Sequence, residues 1–317
     1  MSDAGFAERP AGRYAGNKRN TGRAIRDDTS GVVIKAFGYV FLSAFALACL
    51  LPFWMMIIGS FTSDGVIRTE GYNLYPKVVS FEAFKILLMY PKFLLGSYYL
   101  TICITLGGTA VGLFITSMAA YALQRPDFDW RNKISFYFYF TMLFSGGMVP
   151  YYLLITRYLN LKNNYLAVVL PMLISAWNII MMKNFMKSIP HSLTESALID
   201  GAGDFRIFLM IFLPMSGPSL ATIGLFMALR YWNDWWNGLM FLDNTKYIPL
   251  QLYLYNMITR ADFIRNSAAM ANIPPQDTPG ESLKMATALL STGPIIIMYP
   301  FVQRFFIKGI TVGAIKG

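Results

Sequence analysis

The sequence predicts an all-α, polytopic membrane protein with six transmembrane helices and both termini in the cytoplasm. First, 55% of the 317 residues are hydrophobic and only 14% are charged, whereas soluble domains are about 25% charged. Second, six apolar runs are long enough to cross roughly 30 Å of hydrocarbon as helices. Third, Lys and Arg concentrate in alternate connections between these runs, as they do in chains that the membrane orients.

The first element is a polar, basic stretch, residues 1–30, in which apolar side chains are too few to form a core. We expect it to be a disordered cytoplasmic tail. It does not resemble a signal peptide, because the apolar run begins late and no small-residue cleavage site follows. The net charge of +10 favours orientation and contact with anionic lipid over nucleic-acid binding. Cys49 and Cys103 lie in apolar runs, so no disulfide framework is expected.

The six predicted spans divide residues 31–317 into a membrane domain with alternating connections. With the tail inside, the inner segments and adjoining span ends hold 16 Lys and Arg, whereas the outer connections hold 10. The long outer connections, 60–93 and 242–285, are either surface connectors or a docking face for an external partner. The predicted spans lie near 33–59, 94–123, 134–155, 165–186, 217–241 and 286–306.

A polar, glycine-broken stretch interrupts the apolar pattern on the predicted inner side, SIPHSLTESALIDGAGDFRIFLMIFLP at 188–214. Pro190 suits a first helical turn, and Ser192 with Glu195 has the spacing of a capping box. Gly201 is expected to end this helix in a left-handed conformation, and Asp204 to cap a second segment that runs to Pro214. The stretch therefore predicts a short helix–turn–helix elbow within the loop 187–216.

The elbow resembles the EAA signature of inner-membrane permeases of carbohydrate ABC importers (E-A-A, three residues, G, nine residues, I-x-L-P). Ser196 stands where the signature has alanine as its second residue. The segments LLPFWMMIIGSF, RYWNDWWNGLMFL and QRFFIKGITVGAIKG are similar to the same branch, the last to the maltose-type second subunit. Matching signature positions are Glu195, Ala197, Gly201, Ile211, Leu213 and Pro214.

The resemblance implies an ABC type I importer permease fold in which the elbow is a coupling helix seated in a cytoplasmic ATPase. Leu193, Ala197, Ala202 and Gly203 would then suit close contact, and Phe205 and Phe208 would fill pockets of the ATPase. Glu195 is the candidate for polar pairing and Asp200 for orienting the loop, while Leu213 and Pro214 complete the signature. A solvated membrane-surface helix is the alternative.

The C-terminal tail, KGITVGAIKG, shows no helical periodicity. It is either a frayed end or, by resemblance, a segment that reaches the ATPase dimer. Its candidate contacts are Lys308, Gly309, Gly313 and Lys316.

The fifth span carries the candidate substrate path. Arg230 and Asp234 are four residues apart, which would let them pair on one helical face. Ionisable residues at membrane depth normally face a cavity or a partner. Aromatic faces and amides there suit a sugar, although the tryptophans also fit an interfacial aromatic belt. The other members of this set are Tyr231, Trp232, Asn233, Trp235, Trp236 and Asn237.

No catalytic or metal-binding constellation is evident, since the only histidine, His191, has no cysteine or carboxylate dyad beside it. The phosphate-binding loop of an ATPase is also missing from the sequence. The resemblance implies a homologous second permease, two ATPase subunits that bind ATP-Mg, an extracytoplasmic sugar-binding protein and an oligosaccharide cargo. The alternative is an ion-coupled secondary transporter that uses Arg230 and Asp234.

Overall fold

The computed structural model describes residues 29–270 and 280–314. Regular structure in these ranges is helical, with one isolated antiparallel bridge between Thr62 and Val79. Residues 1–28 and Lys316 lie outside the described residues, as does the side chain of Lys308. The all-α prediction is thereby confirmed for the described chain.

The helices vary from one turn to 34 residues. Two five-residue π-helical turns, π1 and π2, interrupt the α-helices. In chain order the elements are α1 Thr29–Ser60, α2 Asp64–Glu70, α3 Glu82–Leu87, α4 Pro91–Gln124, α5 Arg131–Leu143, α6 Met148–Leu153, π1 Leu154–Tyr158, α7 Leu166–Leu173, α8 Ala176–Met186, α9 Ser192–Ile199, α10 Asp204–Ile207, π2 Phe208–Phe212, α11 Leu213–Met215, α12 Gly217–Trp232, α13 Trp236–Phe241, α14 Leu250–Met270 and α15 Glu281–Ala314.

The chain divides into two units between Phe53 and Trp54, within α1. In the first unit the described side chains of α1 are nearly all exposed and apolar. Phe37, Phe41 and Phe45 stack along one face with ring centroids 6.4 Å apart. A helix whose described side chains are apolar and exposed on all sides is suited to lipid.

Two described helices, Ile34–Ser60 and Pro91–Gln124, are long and apolar enough to cross a membrane alone. Three further spans are possible if each is a bent pair of helices: Arg131–Leu143 with Met148–Tyr158, Leu166–Leu173 with Ala176–Met186, and Asp204–Met215 with Gly217–Trp232. The bends are 114°, 42° and 82°, respectively. Six spans with both ends inside therefore stays a prediction.

Several predicted span boundaries are wrong. The run 134–155 breaks between Leu143 and Met148, where Gly147 adopts a left-handed φ of 83°. The run 217–241 breaks after Trp232. The last helix continues beyond 306 to Ala314 and so includes Gly309 and Gly313, which were expected in a non-helical tail.

Two buried clusters of the second unit position the features that matter for function. One joins α4, α8 and α12 to the segment 202–213 through residues such as Tyr121, Met182 and Phe208. The other joins α3, α4, α12, α14 and α15, with Leu87, Trp232 and Leu283 among its members. The first cluster lies beneath the predicted elbow, and the second supports the end of the helix that carries Arg230.

A distant carboxylate caps the last helix. Asp64 Oδ1 accepts hydrogen bonds from the backbone N–H groups of Gly280, Glu281 and Ser282 at 2.9, 2.7 and 3.2 Å, and Arg68 Nε lies 2.6 Å from its Oδ2. Burial raises the pKa of Asp64, but these donors and the Arg68 charge outweigh burial, so the pKa lies below its usual value. The carboxylate is therefore held in its charged form at the helix N-terminus.

Candidate functional site

The elbow is a short helix, a left-handed turn and a second helical segment. Helix α9 ends at Ile199, and Gly201 follows with a φ of +79°. The Gly201 N–H donates to Leu198 O at 3.0 Å, and the Ala202 N–H donates to Ala197 O at 2.9 Å. This pair of bonds is the Schellman arrangement that ends helices at glycine. The prediction that Gly201 stops the helix is confirmed.

The predicted side-chain caps are wrong. Ser192 is the first residue of α9 and makes no capping bond. Glu195 Oε1 instead lies 3.0 Å from His191 Nδ1, one turn earlier. Asp204 does not cap α10 either, because Gly203 occupies the N-cap position and the Asp204 carboxylate points to another element.

That element is the C-terminal end of α4. The Arg125 guanidinium donates to the carboxylates of both Asp127 and Asp204, and weakly to the Tyr121 hydroxyl at 3.4 Å. The hydrogen bond that Arg125 donates to Asp127 raises the pKa of Arg125, and Arg125 in turn lowers the pKa of Asp127. The Arg125–Asp204 ion pair thus joins the elbow to the end of the long helix α4. The sequence interpretation did not include Arg125.

The elbow leaves several apolar side chains exposed and packs others against the core. Exposed members are Leu193, Leu198, Ile199 and Phe205, with Ile199 at 86% exposure. Ile199 was not among the predicted site residues, although it follows Glu195 by one helical turn. Three predicted contact residues are half-buried against the cluster formed with α4, α8 and α12, so they pack within this protein: Ala197, Ala202 and Leu213.

Phe208 contradicts its predicted role. Its side chain is 1% exposed, and its ring packs against Tyr121 and Phe114 with centroids 5.5 and 6.0 Å away. It lies in the π-helical turn π2, whose wider register carries Phe208 and Phe212 into the core. Phe208 therefore anchors the elbow and has no surface left for a partner, whereas Phe205 beside it is 57% exposed.

The remaining elbow residues are exposed or only partly covered. Gly203 has an extended conformation, and no atom lies within 4 Å of the position that a Cβ would occupy there. Pro214 lies in the one-turn helix α11. The Asp200 carboxylate makes no hydrogen bond within ranges 29–270 and 280–314, so the backbone bonds of Gly201 and Ala202 orient this loop.

The second candidate site is an open cleft of about 540 Å³ where α12 ends and α13 begins. Six of the eight predicted residues line it: Arg230, Asn233, Asp234, Trp235, Trp236 and Asn237. The side chain of Asn237 is largely buried. Met172, Phe226 and Leu229 complete the wall and were not predicted; Met172 comes from α7, a distant part of the chain, whereas Phe226 and Leu229 belong to α12 itself.

Arg230 and Asp234 do not pair in the described structure. Helix α12 ends at Trp232, and Asn233 is its C-cap, so the four-residue helical spacing is lost. Asp234 Oδ2 accepts from Asn237 Nδ2 at 3.0 Å, and Asp234 Oδ1 accepts from the Asn237 backbone N–H at 3.2 Å. Tyr151 donates to Asn237 Oδ1 at 2.7 Å, which holds the amide with its N–H groups toward Asp234.

Tyr231 and Trp232 are buried outside the cleft, contrary to prediction. The Tyr231 hydroxyl donates to Val169 O at 3.0 Å, and its ring lies so close to Gly108 that an added Cβ there would approach Tyr231 Cζ to 2.5 Å. Trp232 Nε1 donates to Ser291 O at 3.0 Å. Both side chains therefore fix α12 against its neighbours, and neither is available as a sugar platform.

Comparison with known proteins decides the family. Residues 130–312 match the binding-protein-dependent transport system inner membrane component family. The chain belongs to this family. It is 38% identical over 281 residues to the polygalacturonan/rhamnogalacturonan transport system permease protein YtcP of Bacillus subtilis, covering 88% of this chain and 96% of YtcP. It is 37% identical over 294 residues to protein LplC of the same organism, covering 92% and 98%.

The fold is similar to that of a solved structure as well. A chain of a bacterial ABC transporter involved in the import of the acidic polysaccharide alginate matches with a TM-score of 0.73 and 31% identity, covering 88% of this permease and 98% of that chain. The all-helical ABC importer permease fold that the EAA-like elbow predicted is confirmed. The permease is a multi-pass membrane protein.

This permease is a transport subunit, and a separate ATPase subunit hydrolyses ATP. Membership of the family also implies a partner permease and a substrate-binding protein. The ion-coupled alternative is not supported, because the family is binding-protein-dependent and Arg230 and Asp234 form no ion pair in the described residues. The described residues also hold no cluster of three or more potential metal ligands.

Proposed function

We propose that this permease forms half of the channel of an ABC importer that carries an oligosaccharide across the cytoplasmic membrane, with both termini inside. The relatives support a carbohydrate cargo, since they include YtcP, the alginate importer and AraQ of Bacillus subtilis, an arabinooligosaccharide permease protein. A homologous permease, two ATP-Mg-binding ATPase subunits and an extracytoplasmic binding protein complete the assembly. The long connections 60–93 and 242–285 would dock the binding protein.

The observation that carries the coupling role is a group of exposed apolar side chains on an elbow that is packed against the core. Leu193, Leu198, Ile199 and Phe205 leave hydrophobic surface uncovered at this loop, where exposed apolar surface indicates a protein interface. Phe208 holds the elbow in the core. A movement of the bound ATPase would therefore displace the elbow as a unit.

Arg125 extends this movement into the membrane domain. Arg125 follows directly on α4, and its guanidinium binds Asp204 of the elbow. A force on the elbow would therefore reach that 34-residue helix through the ion pair as well as through the packed core. Two arrangements of the elbow relative to the ATPase would then correspond to inward- and outward-open channels. Lys308, Gly309, Gly313 and Lys316 are the proposed further contacts of the C-terminal segment with the ATPase.

The test is Ile199→Glu in the co-expressed complex with its ATPase, measured by co-purification and by ATP-driven oligosaccharide uptake in proteoliposomes. Because Ile199 is exposed, the substitution should change permease stability by less than about 0.5 kcal/mol. A charge placed in the apolar contact should weaken ATPase binding at least tenfold (roughly 1.4 kcal/mol) and abolish uptake.

Tyr158→Glu is the matched control, since Tyr158 is 82% exposed at the end of π1, away from the elbow. It should leave ATPase binding and uptake unchanged. Normal ATPase binding by the Ile199→Glu complex would refute the coupling role of this face.

A further inference from the structure

We propose that the cleft at the end of α12 is a subsite for an acidic sugar, in which Arg230 binds the carboxylate of a uronate residue. The inference rests on the proposed oligosaccharide import and names the class of cargo. Three features of this cleft support it: the Arg230 cation, the Asp234 carboxylate hydrogen-bonded by Asn237, and the aromatic side chains of Trp235 and Trp236.

The first step is the state of Arg230. Its side chain is exposed to the cleft from the last turn of α12. Across the part of the chain that the structure describes, its guanidinium makes neither an ion pair nor a hydrogen bond. A cation at membrane depth is costly unless it faces water or an anion. The Arg230 guanidinium therefore faces the cleft in a position to bind an anion.

The second step is that Asp234 forms no direct ion pair with Arg230, although its negative charge acts on Arg230 across the cleft. Its two carboxylate oxygens are engaged by Asn237, whose amide is fixed by the Tyr151 hydroxyl. A guanidinium presents parallel N–H donors that match a carboxylate in a bidentate pair. A single carboxylate fits one cation beside an existing anion better than a phosphate dianion does, because the phosphate would leave an excess negative charge next to Asp234.

The third step is the wall that would hold the sugar ring. Trp235 stacks on Tyr255 with centroids 4.7 Å apart, and Trp236 packs edge-on against Trp235 at 5.6 Å. This contact fixes the two indoles beside Arg230. The Asn233 side chain donates to Leu229 O at 2.9 Å and holds the end of α12. The cleft combines aromatic and apolar side chains with oriented polar groups, and small-ligand sites use both kinds of contact.

The experiment is a titration of the purified permease–ATPase complex, followed by intrinsic tryptophan fluorescence. The probes are trigalacturonate, trimannuronate and the methyl ester of trigalacturonate, which keeps the sugar and removes the charge. The wild-type complex should bind at least one free acid more tightly than the ester. Arg230→Gln should weaken that binding roughly 10- to 100-fold, as expected for loss of a charge-assisted bond, and leave ester binding unchanged.

Two variants complete the design. Arg230→Lys should recover part of the affinity, because it restores the charge without the fork. Arg260→Gln removes an exposed arginine of α14 that does not line the cleft and should bind as wild type. The proposal is overturned if neither acid binds more tightly than the ester, or if Arg230→Gln binds the acid normally. Failure of the import function itself would be seen separately, as an absence of ATP-driven oligosaccharide uptake by wild-type proteoliposomes.

Discussion

Gly201→Ala isolates the backbone conformation on which the elbow depends. Gly201 has a φ of +79°, and no atom lies within 4 Å of the position that a Cβ would take. The methyl group therefore neither clashes nor packs, and the whole cost is that of a left-handed L-residue, about 1–2 kcal/mol. This free energy corresponds to a roughly 5- to 30-fold larger population of the opened turn.

Hydrogen exchange of the purified transporter complex measures that population directly. The amides of Gly201 and Ala202 donate the two bonds that close the turn, so their exchange should accelerate roughly 5- to 30-fold in Gly201→Ala. Gly203→Ala is the matched control, because Gly203 has a φ of −72° and is equally uncrowded. Equal exchange in the two variants would show that the left-handed turn does not limit elbow stability.

The other predictions concern contacts that hold the elbow and the last helix. Asp64→Ala removes the helix cap and leaves buried N–H donors unpaired, which should lower the free energy of unfolding by about 3 kcal/mol. The unfolding temperature of the purified protein should therefore fall by about 5–10 °C, and a drop under about 2 °C would contradict this. Because the pKa of Asp64 is depressed, its contribution should be complete above about pH 5 and lost as the pH falls through the lower folded-state pKa, a trend that Asp64→Asn should lack. Arg125→Gln should increase trypsin cleavage after Arg206 about fivefold, since the partly exposed ion pairs contribute about 1 kcal/mol, whereas Lys162→Gln, which removes a surface pair elsewhere, should not.

The sequence predicted local backbone structure correctly where a single residue type determines it. A glycine between two helical segments predicts a left-handed turn, and Gly201 adopts one. The same reasoning failed at the caps, because Asp204 had a stronger partner in Arg125, 79 residues away in the chain. Phe208 was assigned to a partner's pocket because nothing local distinguishes an exposed phenylalanine from one that a π-helical turn carries into the core.

In the cleft, too, some features were predicted from the sequence and others were not. Arg230 lines it, as expected of an ionisable residue in a predicted span. Its pairing with Asp234 assumed an unbroken helix, and the helix ends between the two residues. The glycines at 146 and 147 were a visible signal for the break in the third span, but the length of the apolar run favoured one continuous helix.

The cap on the last helix has a consequence for the order in which the chain is made. Asp64 emerges from the ribosome more than two hundred residues before the three amides it binds. The last helix also supplies the carbonyl acceptors of Tyr98 and Trp232, at Leu290 and Ser291. Until that helix is synthesised, these polar groups lack the hydrogen-bond partners that it supplies, so a chain that terminates before it leaves polar groups unpaired at Asp64, Tyr98 and Trp232.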